Sequence, residues 1–425
     1  MRSSSSTSAP AIGIDFGTTN SAIAAAHHGE PARVLPLPRP DGTTVAYWRT
    51  VLCFEPAEDG VPMRTTAGAP AIARFAESEG VARLLQSIKS HLAAASFVDT
   101  VIFGRRFKVE ELIATYLRAL RAASPMELGR RAVIGRPVRY WGAETDADDE
   151  RAVTRMRAAC ALAGFDDVTF AFEPVAAAHA YATRLDHDEL VLIADYGGGT
   201  SDFSVVEVGR AGARVRATSG VGLAGDAFDA RVVDHVIAPA LGKGSRYRVE
   251  FGHEAPVPAW IYNSLRRWHH LSLLKSAETS RLLERIADGA LDPERIARLV
   301  RVVDDDLGLP LHAAVEATKV TLSRADAARF EFARAGAEIG EHVTRAAFDA
   351  WIDEELGAID AAIDASLERA GVAAGAIDRV FATGGSSLVP AVRGRLAARF
   401  GADRIVGGEE LTSVAAGLAE MAARN

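Results

Sequence analysis

Ala11–Ala26 reads AIGIDFGTTNSAIAAA, and the same form returns at Leu190–Val208 as LVLIADYGGGTSDFSVVEV. Each segment opens with an apolar run that delivers an aspartate, an aromatic residue and a glycine. These are Asp15-Phe16-Gly17 in the first and Asp195-Tyr196-Gly197 in the second. Small and hydroxyl-bearing residues follow, then another apolar run. Two apolar runs joined by a tight Gly/Thr turn predict a β-hairpin. A form that occurs twice predicts a duplicated architecture, one hairpin per lobe, facing each other across a cleft.

The rest of the chain fits an α/β fold. Short apolar stretches such as Ala132-Val133-Ile134 and Arg379-Val380-Phe381-Ala382 alternate with helical patterns at 109–123, 150–163 and 351–370. Residues 242–322 read as mostly helical, with no strand-rich run, and the prolines at 36–40 and 56–70 mark loop-rich parts. The expected division is a disordered lead-in over 1–10 and a first lobe over 11–190 with a peripheral subdomain at about 37–109. A second lobe over 191–425 carries a mostly helical peripheral subdomain at about 227–346, and a last helix, 408–423, returns to the first lobe.

At a tight Gly/Thr turn, backbone N–H groups can approach phosphate oxygens closely and form an anion-binding nest. An aspartate at the end of each preceding strand, Asp15 or Asp195, can hold magnesium, usually through water, since Mg²⁺ keeps much of its hydration shell. Asp202 is a third carboxylate just past the second tip. The plainer alternative is a pair of ordinary Gly-rich hairpins with exposed acids, and the matched pair argues against it. A further strand runs into Ala382-Thr383-Gly384-Gly385-Ser386-Ser387 and then a helix over 389–400, an arrangement suited to a ribose or phosphate at a helix N-terminus. Gly225-Asp226 opens another helix, where Asp226 reads equally well as a plain cap.

IDFGTTNS, ADYGGGTSDFS, FEPVAAAHAYA and TGGSSLVPAV together, in that order, resemble the phosphate-1, phosphate-2, connecting and adenosine motifs of the seventy-kilodalton heat-shock chaperones, members of the actin-like ATPase superfamily. The resemblance runs from about Ala11 to Ala422 and covers the ATPase half of that family. It implies a short, ATPase-only chain of the YegD-like type, without the peptide-binding domain. It also implies the actin-like ATPase fold, two duplicated lobes around a nucleotide cleft, with ATP or ADP and Mg²⁺ as ligands. Asp15 and Asp195 would position magnesium, Asp202 would stand near the attacking water, and Thr18 would contact the γ-phosphate. Gly17, Thr19, Asn20, Gly197, Gly198, Gly199 and Thr200 would surround the phosphates. Glu173 matches a cleft glutamate and Lys89 a catalytic lysine. Gly225, Asp226, Glu316, Lys319, Ser323, Gly384, Gly385 and Ser386 would take the rest of the nucleotide. Without the resemblance, Lys89 reads as a surface lysine.

The chain departs from the family at Val320 and Leu388, where it usually has the two arginines that sandwich the adenine. Losing both removes cation–π stacking of about 0.5–2 kcal/mol each. Uncompensated, that lowers ATP affinity by roughly one to three decades.

Composition narrows the class. With 425 residues and 48% hydrophobic content the chain can bury a large core. A formal charge of −8 argues against a dedicated nucleic-acid binder. Two cysteines, Cys53 and Cys160, without a CxxC, fit a reducing compartment. No apolar stretch is long enough for a membrane span, so a cytoplasmic location is expected. The basic, aromatic run at 260–274 has helical spacing and reads as a half-buried helix, and the pairs His27-His28 and His269-His270 lack the spacing of a metal site. The leading expectation is a slow ATPase acting as a chaperone-like switch, read by a protein client or co-chaperone. A small-molecule kinase or phosphatase of the same superfamily, and a nucleotide-regulated assembly protein, stay open beside it.

Overall fold

The computed structural model describes residues 10–424 apart from 59–60, 79–80, 183–184, 186, 210–211, 250–252, 267–273, 275 and 407–411. The lead-in up to residue 9, His269-His270 and the start of the 408–423 helix lie outside the described residues. The chain groups into two compact units, one made of Met1–Val221, Ala361–Ser387 and Arg395–Asn425, the other of Gly222–Asp360 and Leu388–Gly394.

The first unit holds both predicted hairpins. β1 (Ala11–Phe16) and β2 (Asn20–Ala26) pair antiparallel, and β3 (Arg131–Arg136) and β4 (Asp167–Phe172) extend the sheet in parallel beyond β1. β5 (Glu189–Tyr196) and β6 (Ser201–Gly209) form the second hairpin. β7 (Gly212–Val221) pairs antiparallel with β6, while β8 (Arg379–Thr383) and then β9 (Ile405–Val406) add in parallel beyond β5. The strand orders are β4-β3-β1-β2-(Arg33–Val34), with Trp48–Arg49 also on β2, and β9-β8-β5-β6-β7. Two parallel strands, a hairpin and an antiparallel neighbour thus recur in the same order. The duplication visible in two short segments extends to whole sheets.

Strands buried on both faces carry near-continuous apolar runs. Ile12, Ile14 and Phe16 are buried with Leu112, Ile113, Tyr116, Leu117 and Leu120, which line one face of the Val109–Ala122 helix, and with Met156 of the Asp146–Leu162 helix. Thr145 caps the latter helix and shares a capping box with Asp148.

The last helix, Ser413–Arg424, packs on β1, β2, β3 and the Glu173–Ala182 helix. Glycines permit this seating. A Cβ on Gly13 would stand 2.5 Å from the Ala415 carbonyl, and one on Gly417 would collide with the Ala176 carbonyl. Neither neighbour is a movable side-chain tip. Replacing Gly417 by valine is therefore expected to lower unfolding free energy by about 1–3 kcal/mol through overpacking. Chemical denaturation checks this, and a variant as stable as wild type would mean that the helix is not seated this way.

The second unit is mostly helical, with helices at Gly225–Val232, Ala259–Leu265, Ala277–Gly289, Pro293–Asp304 and Gly308–Leu322. It also contains strands that the sequence reading omits. Arg246–Arg248 pairs with Glu254–Pro256, and Ala327–Phe332 pairs with Ile339–Thr344. The second pair has a legible signal, since Ala328, Phe330 and Phe332 are buried while Arg329 and Glu331 are exposed, a period of two. The stretch at 56–70 holds the strand Arg64–Ala67 and the first turn of a helix, Gly68–Glu77, where Pro70 is tolerated because first-turn N–H groups have no intrahelical partner. Asp226 does not cap its helix: Ala224 occupies that position, and Asp226 sits inside the first turn.

Candidate functional site

The two hairpin tips meet within the first unit. Gly17, Thr18 and Thr19 form the first turn, with Asn20 opening β2. Gly197–Thr200 form the second, closed by the Gly197 N–H donating to the Thr200 carbonyl at 2.9 Å. A Cβ on Gly198 would collide with the Thr19 hydroxyl oxygen, so the tips touch where the chain has glycine.

Acids and one lysine gather behind the tips. Asp15 lies in β1 and Asp195 in β5, each one residue from its strand's end, and Glu173 follows β4 as the first residue of a helix. The carboxyl ends of parallel strands are where α/β sheets expose ligand-binding groups. Asp202 sits directly opposite Asp195 in the β5–β6 register. Lys89 reaches them from a one-turn 3-10 helix, Ile88–His91, preceded by Ser87 at φ 55°, a left-handed backbone that few L-residues adopt. Its Nζ donates to Glu173 Oε1 at 2.8 Å, with both side chains largely buried.

Lys89 is buried, Asp15, Glu173 and Asp195 are partly buried, and Asp202 is exposed at the edge of the group. Burial, then Glu173 and Asp195, push the Asp15 carboxyl up to about 8 against the pull of Lys89. Burial and Asp195 push Asp202 up to about 7, with Thr200 hydrogen bonding opposing. Asp195 is raised by burial and Glu173, opposed by the Thr383 hydrogen bond and Lys89. Burial alone would lower the Lys89 ammonium, but Glu173, Tyr140 and Asp15 outweigh it and hold it charged. Carboxyls crowded enough to hold their protons this tightly would be relieved by a dication. No group of three or more His, Cys, Asp or Glu placed to hold a metal ion occurs among the described residues.

The Gly-rich turn after β8 joins the second hairpin. Thr383 Oγ1 donates to Asp195 Oδ1 at 2.9 Å and Ser386 Oγ to the Gly197 carbonyl at 3.1 Å. Gly384, at φ 79°, lies against the Tyr196 carbonyl with no room for a Cβ, and Gly385 begins a short 3-10 turn. Gly225, Asp226, Glu316, Lys319 and Ser323 belong to the second unit. There Lys319 pairs with Asp229 at 2.7 Å, Ser323 Oγ donates to the Lys319 carbonyl, and Glu316 and Asp226 are exposed. Val320 and Leu388 are 46% and 42% exposed, and both belong to that unit.

Two residues beside the acids were missed from sequence. Tyr140 is buried with its Oη unpartnered among the described residues, and Lys89 and Glu173, ahead of Arg136 and Asp149, are the charges that act on it most. The Arg136 guanidinium lies 5.6 Å from the centre of its ring. Its one sequence signal is an aromatic residue a few positions beyond a parallel strand's end. In the sequence Thr383 is one member of a Gly-rich run, although a hydroxyl closing an apolar strand is a signal in itself.

No helix among the described residues is long and apolar enough to cross a membrane. The Hsp70 protein family model matches residues 73–246 and 302–423, well over half of the chain. Duplicated sheets, touching Gly/Thr hairpins and acids at parallel strand ends are thus joined to a family match that spans both halves of the sequence, and the chain belongs to the Hsp70 family of ATP-binding, chaperone-class ATPases with the actin-like fold.

Proposed function

We propose that this protein is a magnesium-dependent ATPase of low turnover that works as a nucleotide-controlled, chaperone-like switch of the YegD-like type in the cytoplasm. The observation that carries the reading is the cluster of Asp15, Glu173, Asp195 and Asp202 around a single buried Lys89, directly behind two touching Gly/Thr tips. Bound magnesium would supply charge neutralisation at the phosphates. Asp15 and Asp195 would hold it through water, and the backbone of residues 17–20 and 197–200 would receive the phosphate oxygens. Thr18 stands at the γ-phosphate. Lys89, oriented by Glu173, offsets charge that develops on the transferred group, and Asp202 orients the attacking water. Phosphoryl transfer is mostly positioning plus charge stabilisation, so this set suffices.

Gly225, Asp226, Glu316, Lys319, Ser323, Gly384, Gly385 and Ser386 are our candidates for the remaining nucleotide contacts. The exposed aliphatic side chains of Val320 and Leu388 favour weak base recognition. A protein client or co-chaperone would read the nucleotide state.

Calorimetric titration of ADP and ATP, with and without magnesium, tests this. Binding is expected to require magnesium and to be lost in Asp195→Ala. The expected wild-type affinity is micromolar or weaker. Absence of wild-type binding at millimolar nucleotide would sink the ATPase reading.

A further inference from the structure

Four residues stand side by side across four strands of the second sheet: Thr383 on β8, Asp195 on β5, Asp202 on β6 and Gly220 on β7. Directly paired residues share a face of the sheet, so the two carboxylates are flanked within one row by a hydroxyl and by a residue without a side chain. Both flanks act on the acids. Thr383 Oγ1 donates to Asp195 Oδ1 at 2.9 Å. Asp202 accepts from Thr200 Oγ1 through Oδ2 at 2.9 Å, and its other oxygen lies over Gly220, where a Cβ would stand 2.5 Å from Oδ1. The next atom such a Cβ would meet, the Ser201 carbonyl, is 3.3 Å away, so the Asp202 side chain is the group that must yield. Gly220 thus leaves open the space that Asp202 fills.

We propose that Thr383 and Gly220 are positioning residues for hydrolysis, Thr383 anchoring Asp195 through one oxygen and Gly220 allowing Asp202 to keep its orientation beside it. The proposal rests on the ATPase reading above for its kinetic consequence, though not for its geometry. A methyl group at 220 turns the Asp202 carboxylate while leaving both strands in place. Displacing a reacting or water-orienting group by an ångström costs up to about a hundredfold in rate. Loss of the hydroxyl at 383 frees the Asp195 carboxylate to rotate, which acts on magnesium-assisted binding as well as on rate.

The test compares Gly220→Ala, Thr383→Val and Thr383→Ser with wild type. In Gly220→Ala, kcat is expected to fall about 10- to 100-fold, with KM, magnesium-dependent ADP affinity and Tm near the wild-type values. Thr383→Val is expected to weaken ADP binding in the presence of magnesium about 3- to 10-fold, with recovery in Thr383→Ser; the change corresponds to one typical net hydrogen bond. Placed on Asp202→Asn, Gly220→Ala is expected to cause no further loss, because both changes act through one side chain. Wild-type kcat in Gly220→Ala, or losses that add in the double variant, would overturn the proposal. A crystal structure of ligand-free Gly220→Ala separates this from failure of the ATPase reading. If wild type hydrolyses nothing, that reading fails alone, while an Asp202 carboxylate unmoved in the crystal overturns the positioning role whatever the turnover.

Discussion

Replacing Lys89 by methionine is expected to cut ATP turnover about 100- to 1000-fold and to lower the stability of the ligand-free protein by about 3 kcal/mol at pH 8. Lys89 Nζ lies 2.8 Å from Glu173 Oε1, and the pair is nearly closed to solvent. Lys89 is also the cation that pulls down the carboxyls of Asp15, Asp195 and Asp202. Methionine keeps the apolar stem and removes the charge, so the cost is electrostatic and not a cavity. Breaking a buried pair leaves an uncompensated charge, which is worse than never having had the pair. The cost shrinks towards pH 5, because the surrounding acids then take up protons. Adding Glu173→Gln to Lys89→Met should restore much of the stability and none of the turnover. Urea denaturation with single-turnover hydrolysis checks both halves. A Lys89→Met protein with wild-type turnover would remove Lys89 from the chemistry, and unchanged stability would mean that the pair is open to water.

Local sequence patterns specify local structure and stop there. The hairpins are legible because their information is local: an aspartate at a strand end, a Gly/Thr turn and an apolar return fall within a few residues. The duplication follows from comparing Asp15-Phe16-Gly17 with Asp195-Tyr196-Gly197, yet its full extent, five strands in the same order twice, needs pairings between distant segments. The Lys89–Glu173 pair joins residues 84 positions apart, so no spacing rule finds it. Only the resemblance to a family singled out Lys89, which by itself reads as a surface lysine.

Tyr140 and Gly220 were silent for different reasons. A tyrosine in a loop is ordinary until the loop is seen to bring it to Lys89 and Glu173. Gly220 matters only through cross-strand register, because it lies opposite Asp202. A one-residue slip would turn it to the other face. The hairpin at 327–344 was hidden by its surroundings: an alternating segment between strong helical patterns is easily absorbed into them. Tertiary placement, not composition, separates these cases.

Raising the pH from about 5 to about 8 is expected to destabilise the ligand-free protein, and magnesium with ADP is expected to reverse much of the loss. The sign follows from the acids behind the hairpins. Burial and neighbouring carboxylates raise Asp15 to about 8 and Asp202 to about 7 in the folded protein. In the unfolded chain both return to about 4. A carboxyl raised on folding binds its proton more tightly in the native state, so its contribution is present below about pH 4 and is lost as pH rises through the folded value. Each unit corresponds to about 1.4 kcal/mol, and even half of the Asp15 displacement amounts to about 3 kcal/mol, whereas Asp202, whose side chain is exposed, contributes less because solvent screens it. A bound dication repels the same protons and rewards the ionised form, so its stabilising effect grows over the same pH range. Asp195→Asn removes one of the repelling charges. It should raise the ligand-free Tm at pH 8 by several degrees while abolishing the magnesium-dependent shift, so that the less functional protein is the more stable one. Thermal melts at pH 5 and pH 8, with and without Mg²⁺ and ADP, for wild type and Asp195→Asn, decide the matter. A ligand-free Tm that rises towards pH 8, or an Asp195→Asn protein less stable than wild type there, would show that the carboxylates are already balanced by solvent and that the site holds no charge surplus for a metal ion to relieve.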